Sequence, residues 1–385
     1  MPNMPITTTT KPMKIGLVCP YNITRGGGVR EIVMSTQREL LARGHDVKVI
    51  TPLPRNNEPI SLPNVIFVGG SSDFRSPTHT KTQVSATADF ENIEAVMDAE
   101  QFDILHFHEP WVPVLSRQIL QRSKAVNIAT FHAVVPETLM SRTVIRVVNP
   151  YMKSVLKYLH ELTAVSDAAA EYVTSMTDEP ITIIPNGIDL DLYKKNTAKP
   201  THKSVLYIGR LERRKGVKYL LQAFQLLLQN DPEASLIIAG DGPDREKLEL
   251  LAEDLKLTNV TFLGYISDEL KLELLSEATI FCSPAVYGES FGIVLLEAMA
   301  KNVVTIAGNN SGYSGLMQGL GAVSIVNPRD SLEFARRLEL LMNEQPLRKL
   351  WLNWASDFVQ QFAWPKVTDQ YEELYREALK THGRR

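Results

Sequence analysis

The sequence predicts an α/β protein made of two doubly wound, parallel-sheet domains in tandem. Three observations lead there. At 385 residues the chain is too long for one small core and suits two domains. From Met13 onward, short runs apolar on both faces alternate with longer amphipathic segments, as in a sheet covered by helices on both sides. After a turn-rich linker the same alternation starts again.

In the first half, strands are expected at residues 14–19, 47–51, 65–68, 103–107, 127–131, 162–165 and 181–184. Helices at 29–43 and 112–123 lie between some of them. Pro185-Asn186-Gly187-Ile188-Asp189 and a polar stretch to Ser204 form the linker. In the second half, strands are expected at 205–209, 236–240, 260–264, 279–283, 303–307 and 323–326. Helices follow at 217–229, 245–256, 268–276 and 291–300, with three more after Asp330. The last, near 366–379 after Trp364-Pro365, is expected to cross back to the first domain. The domains are therefore read as 13–190 plus 366–380, and 200–364, after a disordered threonine-rich tail over 1–12. That tail lacks the apolar stretch of a signal peptide. Ligands in such sheets bind beyond the carboxyl ends of the strands, so an interdomain cleft is the expected site.

Composition excludes several classes. The 41 basic and 44 acidic residues nearly cancel, so nothing suggests nucleic-acid binding through bulk charge. No apolar run approaches the ~18 residues of a membrane span. Cys19 and Cys282 are far apart in apolar runs and read as buried free thiols of a reducing compartment, hence a cytoplasmic expectation. The sequons at Asn22 and Asn309 are then chance.

Chemistry is expected in the loops. The first strand runs through Tyr21 into Gly26-Gly27-Gly28, where a backbone without side chains can approach a ligand closely. The plain alternative is a flexible turn. The G-x-G-x-x-G spacing is missing, which argues against a nicotinamide dehydrogenase. Gly209-Arg210 ends a strand and Lys215-Gly216 opens a helix, placing two cations where a diphosphate could bind. The neighbouring Arg213 and Arg214 read as ordinary exposed cations.

Gly288-Glu289-Ser290-Phe291-Gly292-Ile293 leads into a helix carrying Glu297. Glu289 can accept from sugar hydroxyls, the helix-opening amides suit phosphate, and Glu297 suits a vicinal diol such as a ribose. Alternatively, Glu289 is simply an acid favoured by the helix dipole. His106 and His108 share a strand face before Glu109; lining of an acceptor cleft is favoured over a metal pair. His45 reads as structural. Asn149-Pro150 reads as a helix start. Lys153, Lys157, Val155, Leu156 and Leu159 after it, with Arg142 and Arg146 before it, make an ordinary surface helix, or alternatively one touching an anionic bilayer.

Taken together, Glu289-x7-Glu297, Gly209-Arg210 with Lys215-Gly216, Gly240-Asp241-Gly242-Pro243 and Asn186-Gly187-Ile188-Asp189 resemble the retaining glycosyltransferases of family 4, with the GT-B fold. The resemblance covers nearly the whole chain from Met13. Residues 15–21 with Gly27-Gly28-Val29, His106-Phe107-His108-Glu109-Pro110 and Ala129-Thr130-Phe131-His132 resemble the branch that mannosylates phosphatidylinositol. The resemblance implies that Arg210 and Lys215 bind the donor diphosphate. Glu289 with Phe291, Gly292 and Ile293 would hold donor sugar and phosphate, Glu297 the ribose, and His132 would lie beside the reacting centre. Gly27 and Gly28 would let donor and acceptor approach, and Tyr21, Arg30 and His108 would face the acceptor. Asp268 and Lys271 match positions near the base, where a carboxylate suits guanine and favours a GDP-sugar over UDP. The implied enzyme uses a nucleotide sugar as co-substrate, with no tightly bound cofactor and no metal, at the inner membrane face if the acceptor is a lipid. Two departures stand out. Asn302 and Val304 replace the usual Gly and Pro after the Glu297 helix, a change expected near the donor sugar, and Arg30 replaces an uncharged amide. Rival readings are an epimerase or phosphorylase on the same fold, a UDP-sugar transferase with a soluble acceptor, and a catalytically silent binding protein.

Overall fold

In the computed structural model, the residues described are 11–24, 27–54, 62–75, 81–85, 90–134, 139–193 and 202–383. Most of the expected tail and Gly26 lie outside them. The first sheet comprises β1 Lys14–Val18, β2 Asp46–Leu53, β3 Val65–Arg75, β4 Lys81–Ser85, β5 Ile104–His108, β6 Val126–Phe131, β7 Glu161–Ala164 and β8 Ile181–Ile183. Its order is β4-β3-β2-β1-β5-β6-β7-β8, with only β3–β4 antiparallel among the paired strands. The second sheet comprises β9 Ser204–Ile208, β10 Ser235–Ala239, β11 Val260–Gly264, β12 Ile280–Ser283, β13 Val304–Gly308 and β14 Ile325–Val326. Its order is β11-β10-β9-β12-β13-β14, all parallel.

Both orders reverse direction beside the first strand of each sheet, between β1 and β5 and between β9 and β12. Loops leaving the carboxyl ends at those switch points diverge and leave room for a ligand. The central strands are apolar because helices cover both faces: every residue of β5, β6 and β13 is buried. The edge strand β4 carries no such signal. It is short, polar and antiparallel, and Gln83 on it accepts from the Asn22 side-chain amide at 2.8 Å. That bond also takes the Asn22 sequon out of reach. Both cysteines are buried and unpaired.

Two local expectations need correction. The helix expected to begin at Asn149-Pro150 runs from Leu139 to Leu156 with Pro150 inside it. An interior proline removes one helical bond and costs about 3 kcal/mol, so the helix must be held by packing around it. Val155 is buried, Leu156 and Leu159 pack on the same core, and Asn149 accepts from the Tyr172 hydroxyl at 2.9 Å. Those apolar residues face inward, so they are not a bilayer-facing stripe.

The last helix, Trp364–His382, packs on the first sheet, its Trp364, Val367, Tyr371 and Tyr375 sharing a core with Ile15, Leu17 and Val33. Arg43 reaches Asp369 at 2.6 Å and Glu372 at 2.8 Å, and buried His45 binds Glu372 as well. The chain thus ends on the domain where it began.

Candidate active site

The second domain supplies a charged cluster. After β9 the chain passes Arg210 into the turn Arg213–Lys215. Gly216 closes the turn at φ +72°, and a Cβ there would lie 2.1 Å from the Pro284 carbonyl oxygen. That approach, and the bond from Val286 N–H to the Arg214 carbonyl at 2.8 Å, joins the turn to the loop after β12. Glu289 on that loop thereby meets Lys215 Nζ at 2.8 Å and Arg214 at 2.5 Å. Arg214 also pairs with buried Glu212 at 2.6 Å, and Arg210 lies 3.7 Å from the same carboxylate. Arg214 is therefore no ordinary exposed cation. The sequence signal was spacing from Lys215 alone, which cannot show that the turn folds under β12.

Three cations, Arg210, Arg214 and Lys215, surround two carboxylates, Glu212 and Glu289. One positive charge is left over, on a cluster whose outermost member, Arg210, is 36% exposed. Burial works against the Arg214 charge, but Glu289 and Glu212 offset it and hold the guanidinium above its ordinary value. Burial, and then Glu289, pushes the Tyr313 hydroxyl well above its usual range, leaving a neutral donor beside that carboxylate.

The helix expected from Phe291 begins at Ile293. Gly292 precedes it at φ +106°, where a Cβ would lie 2.9 Å from the Tyr313 ring, so only glycine fits. The first amides of this helix have no intrahelical acceptor and can face an anion. Phe291 is buried, 5.8 Å from the Phe362 ring, and anchors the loop.

Glu297, one turn on, is buried with both oxygens engaged: Lys271 Nζ at 2.7 Å and the Tyr193 hydroxyl at 2.7 Å. Lys271 also lies 5.5 Å from the Tyr193 ring centre. Asp268, exposed, opens the helix Asp268–Glu277 that carries Lys271, capped by Ser267. Tyr193 was missed because it belongs to the linker, where nothing in the local pattern marks it. Asn302, at φ +62°, and Val304 lie where the Glu297 helix returns to the amino end of β13. That is the opposite end of the sheet from Glu289, so the expectation that they alter the donor loop is corrected.

The first domain contributes a contrasting, uncharged group. His132, 7% exposed, follows β6, and its main-chain N–H and that of Ala133 both donate to Glu109 Oε1, at 2.6 and 2.7 Å. Its ring Nε2 is 2.9 Å from His108 Nδ1. His108, expected to face the acceptor, is 0% exposed and stands behind His132; direct acceptor contact by it is ruled out. Burial depresses His106 and His132 to about 3 and His108 well below its ordinary value, so all three rings are neutral at pH 7. Burial also raises Glu109, against the opposing pull of its three hydrogen bonds. Among the described residues, no group of three His, Cys, Asp or Glu side chains is arranged to hold a metal.

Tyr21 bridges to Val84, and burial followed by Glu109 raises its hydroxyl well above the ordinary value. Arg30 Nε donates to the Ile23 carbonyl at 2.6 Å, which ties the first turn of the helix Gly28–Ala42 to the loop before it. Among the described residues, a Cβ on Gly27 or Gly28 would meet no atom within 4 Å. The fold itself does not demand glycine at either place. The two halves meet where the Ser166 hydroxyl, beyond β7, donates to the Ser290 carbonyl.

Comparison with known proteins agrees with this fold. Residues 26–192 match the family described as Glycosyltransferase Family 4, and 191–355 match Glycosyl transferases group 1. The phosphatidyl-myo-inositol mannosyltransferase of Mycolicibacterium smegmatis is 30% identical over 377 residues, covering 94% of this chain and 93% of that protein. The N-acetyl-alpha-D-glucosaminyl L-malate synthase of Bacillus anthracis is 26% identical, covering 96% and 98%. Among solved structures, the sucrose-phosphate synthase of Thermosynechococcus elongatus superposes with a TM-score of 0.76 at 21% identity, over 96% of this chain and 100% of that one. The chain belongs to glycosyltransferase family 4 and is a hexosyltransferase with the GT-B fold.

Proposed function

We propose that this enzyme moves mannose from GDP-mannose to a hydroxyl of a membrane-lipid headgroup, phosphatidylinositol first among candidates, with retention at the anomeric carbon. The carrying observation is near-full-length similarity to a relative named as a phosphatidyl-myo-inositol mannosyltransferase, together with Asp268 one turn before Lys271, whose ammonium pairs with Glu297. A carboxylate at the base can accept from both guanine N1–H and N2–H, which uracil lacks in that pattern. Lys271 and Glu297 then hold the ribose. Arg210, Lys215 and the amides at Ile293 stabilise charge on the departing diphosphate. Glu289 accepts from donor-sugar hydroxyls, and His132 orients the reacting groups. Gly27 and Gly28 leave room for donor and acceptor to meet. Glu289 bridges two cations, which lowers its nucleophilicity, so attack from the leaving-group face fits better than double displacement through Glu289. Arg146 and Lys153 are exposed on one helix and can approach an anionic bilayer at the inner membrane face. No helix among the described residues is long and apolar enough to cross a membrane.

The B. anthracis relative, with a different sugar and malate as acceptor, supports a second reading: a UDP-sugar and a small soluble acceptor. Incubation with GDP-mannose, UDP-glucose and UDP-N-acetylglucosamine, each with phosphatidylinositol vesicles, separates the two. The proposal expects mannosyl-lipid from GDP-mannose only, with an α product by NMR. Turnover confined to a UDP-sugar would overturn it.

A further inference from the structure

The donor-side charges are explained by the reading above; the buried histidines behind His132 are not. His106, His108 and His132 form a column, with ring centres 4.4 Å apart for the first pair and 5.2 Å for the second. The proton pattern at its base follows from hydrogen-bond roles. Thr163 donates to the Ala129 carbonyl at 3.0 Å, so it accepts the Thr130 hydroxyl at 2.5 Å. Thr130 then accepts from His106 Nε2–H at 2.6 Å, and His106 Nδ1 accepts from the Tyr375 hydroxyl at 2.7 Å. His106 is fixed in one tautomer and tied to the last helix. His108 lies against this fixed ring, tilted 30° to it, and spends its Nδ1 on His132 Nε2. The remaining nitrogens, His108 Nε2 and His132 Nδ1, are buried without a hydrogen-bond partner among the described residues.

We propose that His108 is a positioning residue: through its Nδ1 it sets the ring plane of His132 and ties the His132 tautomer to its own, and the ring of His106, held by Tyr375, packs against His108 in turn. Two restraints therefore converge on His132. Glu109 fixes its backbone and His108 fixes its ring, which leaves Nδ1 as its one uncommitted atom. A neutral imidazole pair shares a single proton between two nitrogens, so removing one ring frees the other to exchange tautomers. The low proton affinity of all three rings agrees with this arrangement. The proposal rests on His132 lying at the reacting centre.

The test compares His108→Phe, which removes the bond, with His108→Asn, whose amide places a polar atom near the lost Nδ1. Imidazole 15N spectra of the unliganded protein read the His132 tautomer. Hydrolysis of whichever donor wild type turns over fastest, among GDP-mannose, UDP-glucose and UDP-N-acetylglucosamine, reads activity. His108→Phe should average the two His132 nitrogen shifts and lower kcat about tenfold with donor KM unchanged, the loss expected for one orienting hydrogen bond. His108→Asn should restore split shifts and most of kcat. If His108→Phe does not fold, Tyr375→Phe supplies the weaker form of the same effect. Wild-type kcat in His108→Phe while His132→Ala is inactive overturns this proposal alone. Full activity in His132→Ala overturns the reading beneath it as well.

Discussion

The two halves of the site solve opposite electrostatic problems. In the second domain, the three cations Arg210, Arg214 and Lys215 surround the carboxylates of Glu289 and Glu212, and one positive charge is left over for an anion. In the first, three histidines stay neutral because burial removes the water that would solvate a cation. Under the proposed function, one side would attract a diphosphate and the other would hold an uncharged hydrogen-bonding ring in place. Charge would then develop on the leaving phosphate and not at His132.

Acid should break the neutral side first. Between the ordinary value of 6.5 and the folded value of about 3, the unfolded chain binds protons at His106 and His132 that the native state does not. Stability is thus present above pH 6.5 and is lost as pH falls below it, by about 2 kcal/mol per ring at pH 5. Chemical denaturation across pH 7.5 to 5 checks this, and a flat profile would contradict a neutral column. Next in size, His132→Ala should lower kcat about 100-fold without removing donor binding. On the charged side, Gly292→Ala forces a Cβ to within 2.9 Å of Tyr313 at φ +106°. That strain should cost about 1–3 kcal/mol in thermal or chemical unfolding. Lys271→Met leaves Glu297 with only Tyr193 and should raise donor KM about tenfold at nearly constant kcat. The smallest structural effect sharpens the comparison most. Gly27→Ala should shift stability by less than about 0.5 kcal/mol, because its Cβ meets nothing among the described residues, yet transfer should fall.

The legible part of the sequence was what depends on local period and on turn chemistry. Both parallel sheets follow from apolar runs such as those of β5 and β13, whereas the strand orders that place the switch points do not. The illegible part depends on long-range packing. Arg214 reads like Arg213 until the Gly216 turn is folded under Pro284. Tyr193 gains meaning only when the linker lies against Glu297. His108 points to a cleft by its place on a strand, and only its packing between His106 and His132 shows it to be buried. The edge strand β4 escaped because an edge needs no apolar run. Pro150 misled because tertiary packing overrode a local helix-breaking rule.

The central claim is that the surplus positive charge beside Glu289 stabilises the leaving diphosphate. Lys215→Ala tests it most directly, since Arg214 still neutralises Glu289 and the fold should survive. Steady-state transfer should show kcat reduced by about 100-fold or more while the unfolding temperature stays near that of wild type. Near-normal kcat in that variant would contradict the account.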